Sequence, residues 1–158
     1  MDYKKLLIEK IESFYVDVVE EFKEAELQIM ADSKFRSIFK KKNYDGNIAK
    51  LRECKKASLA IDTGDIKIPA GDRESDEVEH RFERCLVIFS GLCDAYIQLQ
   101  MSLKKKAQGA KTPFSEYREI FQKVQDARNS LNGALHELDI VYTDYTYDEE
   151  EGFCKFAD

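Results

Sequence analysis

The sequence predicts an all-α protein: an antiparallel four-helix bundle whose second limb is split into shorter helices, followed by an acidic C-terminal tail. Apolar residues recur every three or four positions along three stretches of about 28–34 residues, roughly 40–50 Å each at the helical rise. Only 2 prolines and 7 glycines occur in 158 residues, with no tryptophan, too few turn-formers for a collagen-like or many-stranded chain. Short to moderate connections between the stripes favour antiparallel neighbours. An elongated coiled-coil dimer is the other architecture open to such stripes, but Phe14, Phe22, Phe82, Phe89, Tyr96 and Tyr117 suit a globular bundle better than a Leu/Ile seam.

The first stripe is Leu7, Ile11, Phe14, Val18, Phe22, Ala25 and Ile29, with Asp17, Glu20, Glu21 and Glu24 between, so a helix is expected over about residues 3 to 30. Asp32 and Ser33 are good caps, and Phe35, Ile38 and Phe39 begin a new apolar face after a kink or break. Asn43-Tyr44-Asp45-Gly46-Asn47 reads as a turn, followed by a shorter helix carrying Ile48, Leu51, Ala57 and Leu59. Periodicity fails over residues 61–72, where Ile66-Lys67-Ile68 alternates like a short extended piece. A long helix follows, with Val78, Phe82, Cys85, Phe89, Leu92, Tyr96, Leu99 and Leu103 in step. Acids from Asp72 to Glu77 suit its positive pole, and Lys104-Lys105-Lys106 its negative one. After a loop at Gly109, Thr112-Pro113 reads as a cap and first helical residue. Tyr117, Ile120, Val124, Ala127, Leu131, Ala134, Leu138 and Val141 form the last stripe. Residues 1–143 are thus expected as a single domain and 144–158 as an acidic, aromatic-containing tail.

No apolar run approaches the roughly 20 residues of a membrane span, so none is expected. Met1-Asp2-Tyr3-Lys4-Lys5 leads into an acid-studded amphipathic stretch rather than a secretory signal, which makes a cytoplasmic setting the expectation. In that setting Cys54, Cys85, Cys93 and Cys154 are read as buried apolar thiols rather than disulfides. They form no Cys-x-x-Cys pair, and His80 and His136 lie far apart, so no metal and no cofactor is expected. Glu77 and His80 have the Glu-x-x-His spacing of di-iron bundles, but Gly133 stands three before His136 and the second unit is missing.

The net charge of −6 is unevenly spread. Lys34 to Lys56 holds nine bases and two acids, whereas residues 144–158 hold six acids and one base. The basic segment offers Lys40, Lys41, Lys42, Lys55 and Lys56, with Tyr44 as a stacking residue, as candidate partner-binding residues. Nucleic acid, an anionic membrane surface or an acidic protein would suit them, nucleic acid being a lesser candidate because the chain as a whole is acidic. Lysines near helix C-termini also serve the backbone carbonyls there. In the tail, Phe153 and Phe156 are candidates for docking on the body.

Arg128 and His136 are the candidate catalytic residues. The stretch from Ala127 to His136 resembles the Arg-polar…His motif of HEPN-type ribonucleases, small helical bundles with the motif late in the chain. That resemblance implies an imidazole for proton transfer and an arginine for the charge developing on a scissile phosphate, often across a dimer interface. The spacing departs from the family, since seven residues separate the pair here where the family has four to six. The sequence is therefore read as a non-catalytic bundle working through macromolecular, chiefly protein–protein, interaction. A HEPN-like ribonuclease or RNA-binding bundle and a self-associating structural protein, a homodimer included, are the alternatives.

Overall fold

The structure is a computed structural model that describes the backbone of residues 2–33 and 43–154 and the side chains of residues 2–31 and 43–147. Helix is the only regular secondary structure among the described residues. The first expected helix is present as α1 (Tyr3–Ser13), a π-helical segment (Phe14–Val19) and α2 (Glu20–Ser33) in unbroken succession. The π-helical segment departs from the regular helix expected. Its wider turn lets the consecutive Val18 and Val19 both face the core, at 3% and 5% exposure, while Val16 points outward.

The next helix, α3 (Tyr44–Leu59), starts inside the stretch expected to be a turn. Asn43 is its cap, accepting the Gly46 N–H at 3.0 Å. A Cβ at Gly46 would fall 2.2 Å from that side chain, so a glycine here makes room for the cap. The helix expected from Phe35 and the split in the second limb lie outside the described residues, as do Lys40, Lys41 and Lys42. Between α3 and the following helix, Ile66 and Ile68 form no strand. The Ile66 N–H bonds the Thr63 carbonyl in a turn, and the Ile66 side chain is buried in the core.

Helix α4 (Arg73–Ala107) is capped by Asp72, which accepts the Ser75 N–H at 3.1 Å. It ends where Gly109, at φ +96°, lets Ala110 N–H reach the Lys105 carbonyl and Gly109 N–H the Lys106 carbonyl. Helix α5 (Phe114–Cys154) starts one residue after Pro113, whose carbonyl accepts from Glu116 and Tyr117. It runs through the boundary expected at 143/144 without a break. Tyr145 is 2% exposed, with its hydroxyl 2.8 Å from the Ser75 hydroxyl. Phe153 and Phe156 lie outside the described side chains.

Paired residues give the directions. Ser75 meets Tyr145, Arg81 meets Glu137 and Lys106 meets Tyr117, so α5 runs opposite to α4. Asp45 meets Lys104, Asn47 meets Gln100 and Lys55 meets Asp94, so α3 also opposes α4. The rod of α1 and α2 runs alongside α4 in the same sense: Tyr3 bonds Asp72, Phe14 touches Phe82 and Phe89, and Phe22 touches Phe89 and Tyr96. Those four phenylalanines, all fully buried, meet edge to face at centroid separations of 5.0–5.7 Å. Such packing adds about 0.5–1.5 kcal/mol per pair beyond area burial. Cys54, Cys85 and Cys93 are buried and unbridged, as expected, and the Cys154 side chain is outside the described set. Desolvation pushes the Cys85 thiol up to about 12 and raises Cys54 and Cys93 as well. By length and composition alone α4 could cross a membrane, with mean hydropathy 1.3 over an 18-residue window. Its stripe from Val78 to Leu99 is buried in the protein's own core.

Candidate functional site: a groove over a buried carboxylate

One stretch of the apolar stripes does not close. Near the end of α2 the stripe carries Glu26 between Phe22 and Ile29, so a carboxylate occupies a core position on the first rod. Glu26 is 7% exposed and would be costly to bury alone. Two elements satisfy it: the Tyr96 hydroxyl on α4 donates to one oxygen at 2.7 Å, and the Arg128 guanidinium on α5 donates to the other at 2.8 Å. Burial and the hydrogen bond to Glu26 together raise the Tyr96 phenol above its ordinary range. Nearby, Asn47 on α3 donates to Gln100 on α4 at 3.1 Å, tying a third helix to the same level.

Above this polar floor lies a groove of about 590 Å³, within the size range of ligand pockets. Ile29, Leu99, Leu103 and Val124 give it apolar walls, and Tyr44, Gln125 and Asn129 add polar edges. On the α5 side Tyr117 and Phe121 stack at 6.2 Å with their rings 14° apart, and the Lys106 ammonium sits 5.8 Å from the Tyr117 centroid. Two of its lining side chains are exposed and apolar, Met30 on α2 and Phe121 on α5; Leu27, one turn before Met30, and Phe114, two turns before Phe121, are exposed as well.

The candidate residues are dispersed over the molecule. Tyr44, in the first turn of α3, lines the groove. Lys55 is bound to Asp94 at 2.8 Å, and Lys56 is exposed in the last turn of α3, the position that suits backbone carbonyls. Arg128 turns toward Glu26 and the groove, whereas His136 is exposed further along α5, and no hydrogen bond joins them. Eight helical steps rotate by about 80°, which separates the two side chains around α5. His80 is exposed on α4, Glu77 lies 3.8 Å from Arg81, and no group of three metal-ligating side chains occurs among the described residues. Glu26 and Gln100 escaped the sequence reading, and Tyr96 was read only as a stripe residue. The signal for Glu26 was a carboxylate at stripe spacing, four after Phe22 and three before Ile29, hidden among the many acids of α2. No family model matches the chain, and neither does any curated protein or solved structure.

Proposed function

We propose that this chain is an up-down-up-down four-helix bundle that works without chemistry of its own, in a cytoplasmic setting, by binding an acidic amphipathic protein segment in the groove over Glu26. The observation that carries this reading is the conjunction of an apolar groove and an exposed aromatic and methionine rim, with the Lys106 ammonium beside Tyr117. Aromatic residues and methionine are enriched at protein interfaces, and a groove between helices takes the apolar face of a partner helix. The Lys106 ammonium beside Tyr117 offers an acid on the partner's polar face an opposite charge. Arg128 serves here as the floor of a binding surface, neutralising Glu26, rather than as half of a catalytic pair.

An NMR titration with an acidic, leucine-rich helical peptide of unrelated sequence tests the reading. Shifts concentrated on Ile29, Leu99, Leu103 and Val124, and lost in Phe121→Asp, are expected. Absence of shifts, or shifts spread evenly over the surface, would overturn it.

A further inference from the structure

Gln100 stands on the buried stripe of α4, four residues after Tyr96, and is 3% exposed. Its amide oxygen accepts from the Asn47 amide at 3.1 Å, which turns that oxygen toward α3. The nitrogen on the other fork of the planar group donates to no described residue, and the side chain lines the groove. Asn47 does not line the groove, so the fork it leaves unheld is the one on the groove side. A buried donor without an acceptor is costly. A core position that carries one calls for an acceptor from outside the chain, water until a better one displaces it.

The walls and floor define the molecule that brings this acceptor. Arg128 is the one charged side chain among the described residues that line the groove, and Glu26 neutralises it at 2.8 Å. Such a floor favours neither an anion nor a cation. Tyr117 and Phe121 make one wall aromatic, with their rings 14° from parallel, and Leu99, Leu103 and Val124 are apolar. Aromatic walls of this kind take planar rings in offset or edge-on contact. We infer that the floor of the groove binds a small, uncharged, fused-ring aromatic molecule whose carbonyl accepts from the Gln100 amide. Aromatic lactams have that chemistry, and a groove of about 590 Å³ has room for two fused rings. The inference goes beyond the protein segment proposed above and does not rest on it, since Gln100 on the floor holds the ligand.

An NMR titration of the full chain with carbostyril, a two-ring lactam, is the test, with naphthalene and quinaldate as comparators. Naphthalene keeps two rings without the carbonyl, and quinaldate carries a carboxylate. Carbostyril is expected to give saturable shifts at Gln100, Arg128 and Val124. It should bind about five-fold or more tighter than either comparator. Gln100→Leu should bring carbostyril down to the affinity of naphthalene, and Phe121→Ala should weaken both. Phe121 is exposed, so the second variant reads the site even where Gln100→Leu disturbs the packing of α3. Circular dichroism checks that each variant keeps its helices. Absence of saturable shifts with carbostyril, equal binding of naphthalene or tighter binding of quinaldate overturns the inference. So does a preference for carbostyril that survives in Gln100→Leu. If the acidic helical peptide binds and carbostyril does not, the inference fails while the groove reading stands. The reverse result sinks the groove reading alone.

Discussion

The aromatic core and the groove are built on the same helices, a few turns apart, and solve the same packing problem differently. In the core, Phe14, Phe22, Phe82 and Phe89 fill the space between the first rod and α4 edge to face. At the groove the first rod supplies Glu26 instead of another phenylalanine, and Tyr96 and Arg128 turn inward to satisfy it. Their hydrogen bonds close the floor but leave the space above it open, where Tyr117 and Phe121 stack flat along the edge. Ring packing stabilises and excludes, whereas the charged triad holds a cavity open between helices that would otherwise collapse together.

That contrast can be broken most directly in the core. Phe89→Ala should cost about 3–5 kcal/mol in urea denaturation, because the ring is fully buried between Phe14 and Phe22. A loss below about 1 kcal/mol would mean that the site collapses freely and the core is not the rigid half of the pair. The floor of the groove should respond asymmetrically. Arg128→Ala removes one of the two donors to a buried carboxylate and should cost about 1–3 kcal/mol. Glu26→Leu combined with Tyr96→Phe removes the charge and its buried donor together and frees Arg128, which is partly exposed, to hydrate, so the pair should be nearly neutral. If that pair proves as harmful as Arg128→Ala, the triad is a stabilising element and the contrast drawn above fails.

Proton linkage sharpens the comparison from the core side. The Cys85 thiol is raised from 9.0 to about 12 by burial, so the folded state favours its neutral form. Its contribution is complete below the unfolded value near 9 and is lost as pH rises toward the folded value near 12. Chemical unfolding at about pH 8 and about pH 10.5 should show lower stability at the higher pH, and a smaller decrement in Cys85→Ala. The smallest effect is expected on the outer faces of α4 and α5. Gly91 and Gly133 sit in helix interiors with nothing within 4 Å of an added Cβ. Alanine at each should raise stability by about 0.5–1 kcal/mol, read as a higher melting temperature.

The apolar stripes made most of the fold legible, because burial at 3–4 spacing is a direct imprint of helix packing. The poles of α4 were legible for the same local reason, with acids from Asp72 to Glu77 at its start and the lysines before Gly109 at its end; that Asp72 itself is the cap was not read. Asn43-Tyr44-Asp45-Gly46-Asn47 misled because turn-forming and capping residues share one chemistry: a short side chain that binds nearby backbone. The continuation of α5 past Thr143 was hidden by charge. Acids dominate the segment, and the stripe is carried onward by Tyr145, a residue as much at home in a tail as in a core. The groove was least legible, since it comes from three side chains on three helices, each unremarkable alone. Arg128 was singled out, but in pursuit of His136; its partner proved to be a glutamate about a hundred residues earlier in the chain.

The π-helical segment at Phe14–Val19 sets the angular registration of everything that follows it on the first rod. Each residue added to or removed from an α-helix turns its downstream part by about 100°. Tightening this segment to a regular helix with every residue kept would swing Glu26 around the rod, away from Tyr96 and Arg128, whereas removing one residue together with the wide turn would leave it in place. The wide turn thus behaves as an accommodated insertion: one surplus residue, absorbed half a helix away, that aims a carboxylate.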